Sequence, residues 1–161
     1  MGRPGMPILH RHLSRLAQTG EQLFLSSWRA QYGALCSRID PDTGRRLVLL
    51  VTSRGSGRWV IPKGNPMNGM RPHEVAACEA KEEAGAKGRI RKHAIGHYCY
   101  VKRLDNGCGR PCIVDVFSLQ VTSMIEQFKE RGERLLIWVT PQQAAQLVEE
   151  PELRMLIASA R

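Results

Sequence analysis

No apolar run in this chain approaches the roughly 20 residues that a membrane-spanning helix needs, which excludes a helical membrane protein. There is no disulfide framework either. The five cysteines (Cys36, Cys78, Cys99, Cys108 and Cys112) are odd in number and scattered, which fits reduced thiols in a cytoplasmic location. Internal repeats and low-complexity tracts are absent, and so is the heptad pattern of a coiled coil. Acidic residues are scarce: 15 Asp+Glu stand against 24 Lys+Arg, a net charge of +9, and none precedes Glu21. Such a surplus favours polyanionic partners such as nucleotides, polyphosphates or nucleic acid, and it serves plain solubility equally well. Residues 1–28 are expected to be an extension, with Arg3, Arg11 and Arg15 among apolar residues. Gly2, Pro4, Gly5 and Pro7 interrupt its start, no cleavage-like site follows an apolar block, and Met6 stands where a myristoylation signal needs Ser or Thr. Residues 8–24 read either as a short amphipathic helix or as a mobile basic tail.

What is present fits one domain over 29–161. The chain has 161 residues, 42% of them hydrophobic, enough for a real core. Strands are expected over 32–39, 46–52 and 59–61, separated by the turn residues Asp40-Pro41-Asp42-Thr43-Gly44 and Ser53-Arg54-Gly55-Ser56-Gly57. A helix is predicted from Pro72 to the αL cap Gly85. Strands over 94–104 and 113–121 flank a hairpin loop, and a charged loop over 126–134 precedes a strand over 135–139. Thr140-Pro141 opens one helix and Pro151 starts the last. The order is that of a mixed α+β domain.

The chemistry concentrates between Trp59 and Gly85. On the predicted helix Glu79 and Glu83 share a face, with Glu82 beside both. Like charges at that spacing cost up to about 0.5 kcal/mol per pair. Glu82 and Glu83 also sit at the helix C-terminal end, where the dipole disfavours anions. A divalent cation with a preference for oxygen ligands offsets both penalties. A solvated acidic face is the plainer alternative.

The frame around these glutamates resembles the box of the Nudix hydrolase family: Gly, five residues, Glu, seven residues, Arg-Glu, apolar, any, Glu-Glu, any, Gly, apolar. Counted from Gly64, the residues Glu79, Ala80, Glu82, Glu83, Gly85 and Ala86 fall at the required offsets, and Trp59…Pro62-Lys63-Gly64 is similar to the usual entry. Two positions depart: Met70 replaces the first Glu and Cys78 replaces the Arg. Over residues 30–157 the chain is similar to the diphosphoinositol-polyphosphate and diadenosine-polyphosphate phosphohydrolase branch, with the Lys102-Arg103 hairpin and the Trp138-Val139-Thr140-Pro141 close contributing.

The resemblance implies an α/β/α sandwich around a mixed sheet and Mg²⁺-dependent hydrolysis of a phosphoanhydride, with Mn²⁺ as the alternative ion. It implies Glu79 and Glu83 as metal ligands with a backbone carbonyl of Lys63 or Gly64, and Glu82 as base or ligand for the attacking water. Lys63, Lys102, Arg103, Arg131 and Arg134 are the candidate phosphate contacts, each with a solvated-surface alternative. Glu130 and Glu133 lie where some members recruit a further carboxylate. The family arginine holds the neighbouring glutamates in place, and a thiol at Cys78 supplies no charged fork. Lys81 or a base from elsewhere is then expected to compensate, as Glu74 is for Met70. A zinc site among His97, Cys99, Cys108 and Cys112 is disfavoured by spacing. Three functions stay open: hydrolysis of a dinucleoside polyphosphate or inositol pyrophosphate, removal of pyrophosphate from an RNA 5′ end, and a Nudix-fold binding module with weakened turnover. No membrane partner is expected, and the sequence carries no signal for an oligomeric state.

Overall fold

The computed structural model describes residues 28–160, and its sheet is organised by one parallel pair of long strands. β1 (Arg29–Ile39) runs beside β7 (Gly109–Met124), with Arg29 opposite Cys112 and Ser37 opposite Gln120. Every other pairing is antiparallel, and the sheet splits at both ends of the central pair. At the β1 end, β2 (Arg46–Thr52) pairs residues 37–39, while β4 (Lys63–Gly64) pairs Tyr32 and Gly33. β3 (Trp59–Val60) and β8 (Leu136–Val139) extend β2 on its two sides. Along β7, β6 (Gly96–Arg103) pairs the first half and β5 (Ala86–Ile90) the second.

Strict alternation in the central strands makes two cores. Ala34, Cys36, Leu49, Val51, Phe117 and Leu119 face α1 (Pro72–Ala84), whose Ala76, Ala80 and Ala84 allow a close approach. Leu35, Val48, Leu50, Val114 and Val116 face the other way, onto α2 (Pro141–Leu147) and α3 (Pro151–Ser159) through Ala144, Val148, Leu153 and Ile157. The result is the expected sandwich, helices on both faces of a mixed sheet. Among the described residues no helix is long and apolar enough to cross a membrane.

Local chemistry explains the helix limits. Pro72 sits at the first helical position of α1, and the Arg71 backbone N–H donates to the Glu74 carboxylate at 2.8 Å. Thr140 and Gln143 form a reciprocal capping box on α2. Four strands differ from the sequence expectation: β4 at Lys63–Gly64 was not expected, and β7 runs beyond 113–121 to Gly109 and Met124 through its pairing with β6 and β5. β1 begins earlier, because parallel pairing to β7 continues past Gly33 to Arg29. β5 was not expected at all: Lys87, Gly88 and Arg89 are exposed and show no apolar alternation, and the strand exists through its pairing with β7. The alternatives weighed for residues 8–24 lie outside the described residues.

Candidate active site

The C-terminal end of α1 is where the site assembles. Gly85 ends the helix at φ 69°, its N–H donating to the Lys81 carbonyl at 3.0 Å. The following segment folds back over this end. Ile125 donates its N–H to the Gly85 carbonyl at 2.8 Å, and Glu130 donates its own to the Glu82 carbonyl at 3.0 Å. A helix carbonyl with no partner in the helix thus fixes the charged loop beside the glutamates.

Four carboxylates meet there. Glu79 lies so close against Gly64 that a Cβ on the glycine would overlap its carboxylate. Glu83 is 5% exposed, and accepts the Lys63 backbone N–H at 3.2 Å and Arg134 Nη2 at 2.6 Å. Glu82 accepts Lys129 Nζ at 2.7 Å, with the Cys78 Sγ at 3.7 Å. Glu130 accepts Arg134 Nε at 2.6 Å. Arg134 completes its set by donating Nη1 to the Thr52 carbonyl at 2.8 Å, and its side chain is only 7% exposed.

Burial dominates the electrostatics. It pushes the Glu83 carboxyl up to about 7 against the opposing pull of Arg134 and Lys63. It also raises Glu79, with Glu82 and Glu130 adding repulsion. Burial followed by the Glu82 charge raises the Cys78 thiol, so this sulfur is no ready thiolate. Lys63 is lowered by burial, and its Nζ stands 4.9 Å above the Tyr100 ring.

The donor set is hard oxygen, which suits Mg²⁺ or Mn²⁺ and not a soft-ligand ion. Glu82, Glu83 and Glu130 nevertheless stand bound to protein cations, and among the described residues no three His, Cys, Asp or Glu side chains converge into a closed ligand set. The close seat of Glu79 on Gly64 leaves the β4 backbone beside the carboxylates, which fits a site completed by a main-chain oxygen. These residues fit such an ion chemically. Glu79, Glu82, Glu83 and the backbone of Gly64 would hold it, with Glu130 adjoining.

The candidate phosphate contacts divide. Lys63 is partly buried beside the carboxylates. Lys102 is exposed and follows Tyr98 and Tyr100 along the same face of β6, while Arg103 is exposed at the strand end opposite Gly109. Arg131 is exposed in the loop. Arg134 is set differently from an exposed loop base: its guanidinium is buried, and each of its three nitrogens already donates to the protein. Glu74 is paired with Arg71 at the N-terminal end of α1, away from the other glutamates. Lys81 is exposed and Glu133 pairs with Arg54 at 3.2 Å. Cys112 is buried while Cys108 is exposed on the hairpin. Sequence reasoning missed Lys129 as the partner of Glu82. The Glu130–Arg134 pair was legible as an i, i+4 spacing, although nothing local placed it beside Glu83.

Comparison with protein-family models finds no match. Nudix hydrolase 12, mitochondrial, of Arabidopsis thaliana is 33% identical over 103 residues, which are 62% of this chain and 51% of that protein. The chain therefore spans about half the length of that curated relative. A C. elegans Ap4A hydrolase in a binary complex superposes with a TM-score of 0.59 at 19% identity, over 81% of this chain and 93% of that one. A Nudix hydrolase of Nitrosomonas europaea gives a TM-score of 0.61 at 19% identity, over 82% and 87%.

Proposed function

We propose that this chain, similar over 62% of its length to a Nudix hydrolase at 33% identity, is a Nudix-type hydrolase that cleaves a phosphoanhydride bond in a small polyphosphate, either a dinucleoside polyphosphate or an inositol pyrophosphate. The observation that carries the reading is the placement of Glu79, Glu82 and Glu83 at one helix end, beside the β4 backbone and Glu130. When bound, Mg²⁺ or Mn²⁺ supplies positive charge to phosphate oxygens and acidifies the attacking water.

The chain's own residues do the rest. Glu79 and Glu83, half-buried and buried, would hold such an ion in a fixed place. Glu82 takes the proton from the attacking water, since its partner Lys129 is 66% exposed and free to swing into solvent. Lys63, with its Nζ 4.9 Å from the Tyr100 ring and its charge bearing on Glu83, contacts a phosphate beyond the cleaved bond. Lys102, next on the Tyr98–Tyr100 face, extends the basic track, with Arg103 and Arg131 at its margins. Residues 29–161 form the catalytic unit and 1–28 an extension. Five free thiols support a reducing compartment, the cytoplasm among them.

Two further readings have an observation each. The +9 charge favours an RNA 5′ end as the polyphosphate. Cys78 favours a binding module without turnover, but the fork that Arg134 supplies weighs against it. One assay separates them: product release from diadenosine tetraphosphate, an inositol pyrophosphate and 5′-triphosphorylated RNA, with Mg²⁺ or Mn²⁺. A soluble polyphosphate should turn over, and Glu82→Gln should lose at least about 100-fold, the scale of one acid–base contribution. Turnover of nucleotide sugars or uncharged esters, with none of the polyphosphates, would overturn the substrate class.

A further inference from the structure

We propose that Arg134 is the positioning residue of the carboxylate cluster, supplying from the loop before β8 the charged fork that Cys78 cannot. The inference rests on the hydrolase reading above. Its observation is the use made of each nitrogen: Nη2 to Glu83 at 2.6 Å, Nε to Glu130 at 2.6 Å and Nη1 to the Thr52 carbonyl at 2.8 Å. A planar guanidinium bonded on three sides fixes the two carboxylates relative to each other and to the end of β2. Lysine has one nitrogen at one point and cannot do this.

The root of the side chain is held equally well. Leu135 donates its N–H to Thr52 Oγ1 at 2.9 Å, and Thr52 donates its own to the Leu135 carbonyl at 3.0 Å. Cys78 reaches only Glu82, through a thiol at 3.7 Å. Four cations lie among Glu79, Glu82, Glu83 and Glu130: Arg134 on Glu83 and Glu130, Lys129 on Glu82, Arg54 3.6 Å from Glu130, and Lys63 bearing on Glu83. Burial fits Arg134 for the positioning role, since its side chain is 7% exposed against 66% for Lys129 and 59% for Arg54. Arg134 is the fixture, and Lys129 is the one that leaves.

The test is Mn²⁺ binding by calorimetry without substrate, beside kcat and KM for diadenosine tetraphosphate and the melting temperature. Arg134→Lys keeps the charge and removes the fork. It should lower Mn²⁺ affinity and kcat by roughly 10- to 100-fold, as lost support of metal ligands does, with KM changed less. Adding Cys78→Arg should recover part of the loss, which a merely structural ion pair would not give. A folded Arg134→Lys with Mn²⁺ affinity and kcat within about twofold of the parent overturns the proposal. If Arg134→Lys melts more than about 10 °C lower, the Arg134→Gln, Glu130→Gln pair removes one charge of each sign and is judged by the same criteria. A parent chain that turns over no polyphosphate yet binds Mn²⁺, with that binding weakened in Arg134→Lys, overturns the hydrolase reading and leaves Arg134 in its role. A parent that binds no Mn²⁺ overturns both.

Discussion

Glu83 carries the sharpest conflict in the molecule, because burial favours its neutral form while Arg134 and the Lys63 N–H favour the anion. Burial wins, and the carboxyl rises to about 7 from an ordinary value of 4.5. Between those values the folded chain holds a proton that the unfolded chain has released. Stability of the metal-free protein should therefore fall as pH rises from about 5 to 7.5, then level off. Arg134, Lys63 and Glu79 all bear on this carboxyl, and Glu79 shifts in the same direction. The melting temperature should be several degrees higher at pH 5 than at pH 7.5, and Glu83→Gln should remove much of that difference. An identical pH slope in parent and variant would sink the assignment. Added Mn²⁺ should flatten the slope by favouring the ionised carboxylate.

At the scale of elements, the meeting of β4 and α1 decides whether the site is built. Gly64 has no Cβ, and the Glu79 carboxylate occupies the space one would fill. The obstructing atoms are the far end of a flexible side chain, so Gly64→Ala should fold almost as well as the parent. It should also displace Glu79 and weaken Mn²⁺ binding by roughly 10-fold or more. Loss of folding together with binding would show that the glycine serves the backbone instead. Gly85 is the contrasting case. Its φ of 69° and the Ile125 carbonyl 2.5 Å from an added Cβ leave no cheap adjustment. Gly85→Ala should cost about 2 kcal/mol or more of stability, read in a urea titration.

For the whole molecule the net charge of +9 becomes a kinetic statement. With Lys102, Arg103 and Arg131 exposed, a polyphosphate of the proposed class would be attracted before it is bound. kcat/KM should fall several-fold between about 50 and 300 mM salt, as screening shortens the reach of those charges. A salt-independent kcat/KM would place recognition in the buried residues alone. The sequence by itself determined the features that depend on neighbours along the chain. These are the limits of α1, with Pro72 at its start and Gly85 at its end, the shared face of Glu79 and Glu83, and the alternation that divides two cores across one sheet. Only the tertiary structure decided β5, whose Lys-Gly-Arg centre has no strand pattern and depends on its pairing with β7. It likewise decided Arg134, which reads as one more surface base until the loop closes over α1 and brings it to Glu83, 51 residues away in the chain. The physical reason is the same in both cases. Caps and periodicity are set within a turn or two of chain, whereas a buried guanidinium finds its partners only when separate elements pack.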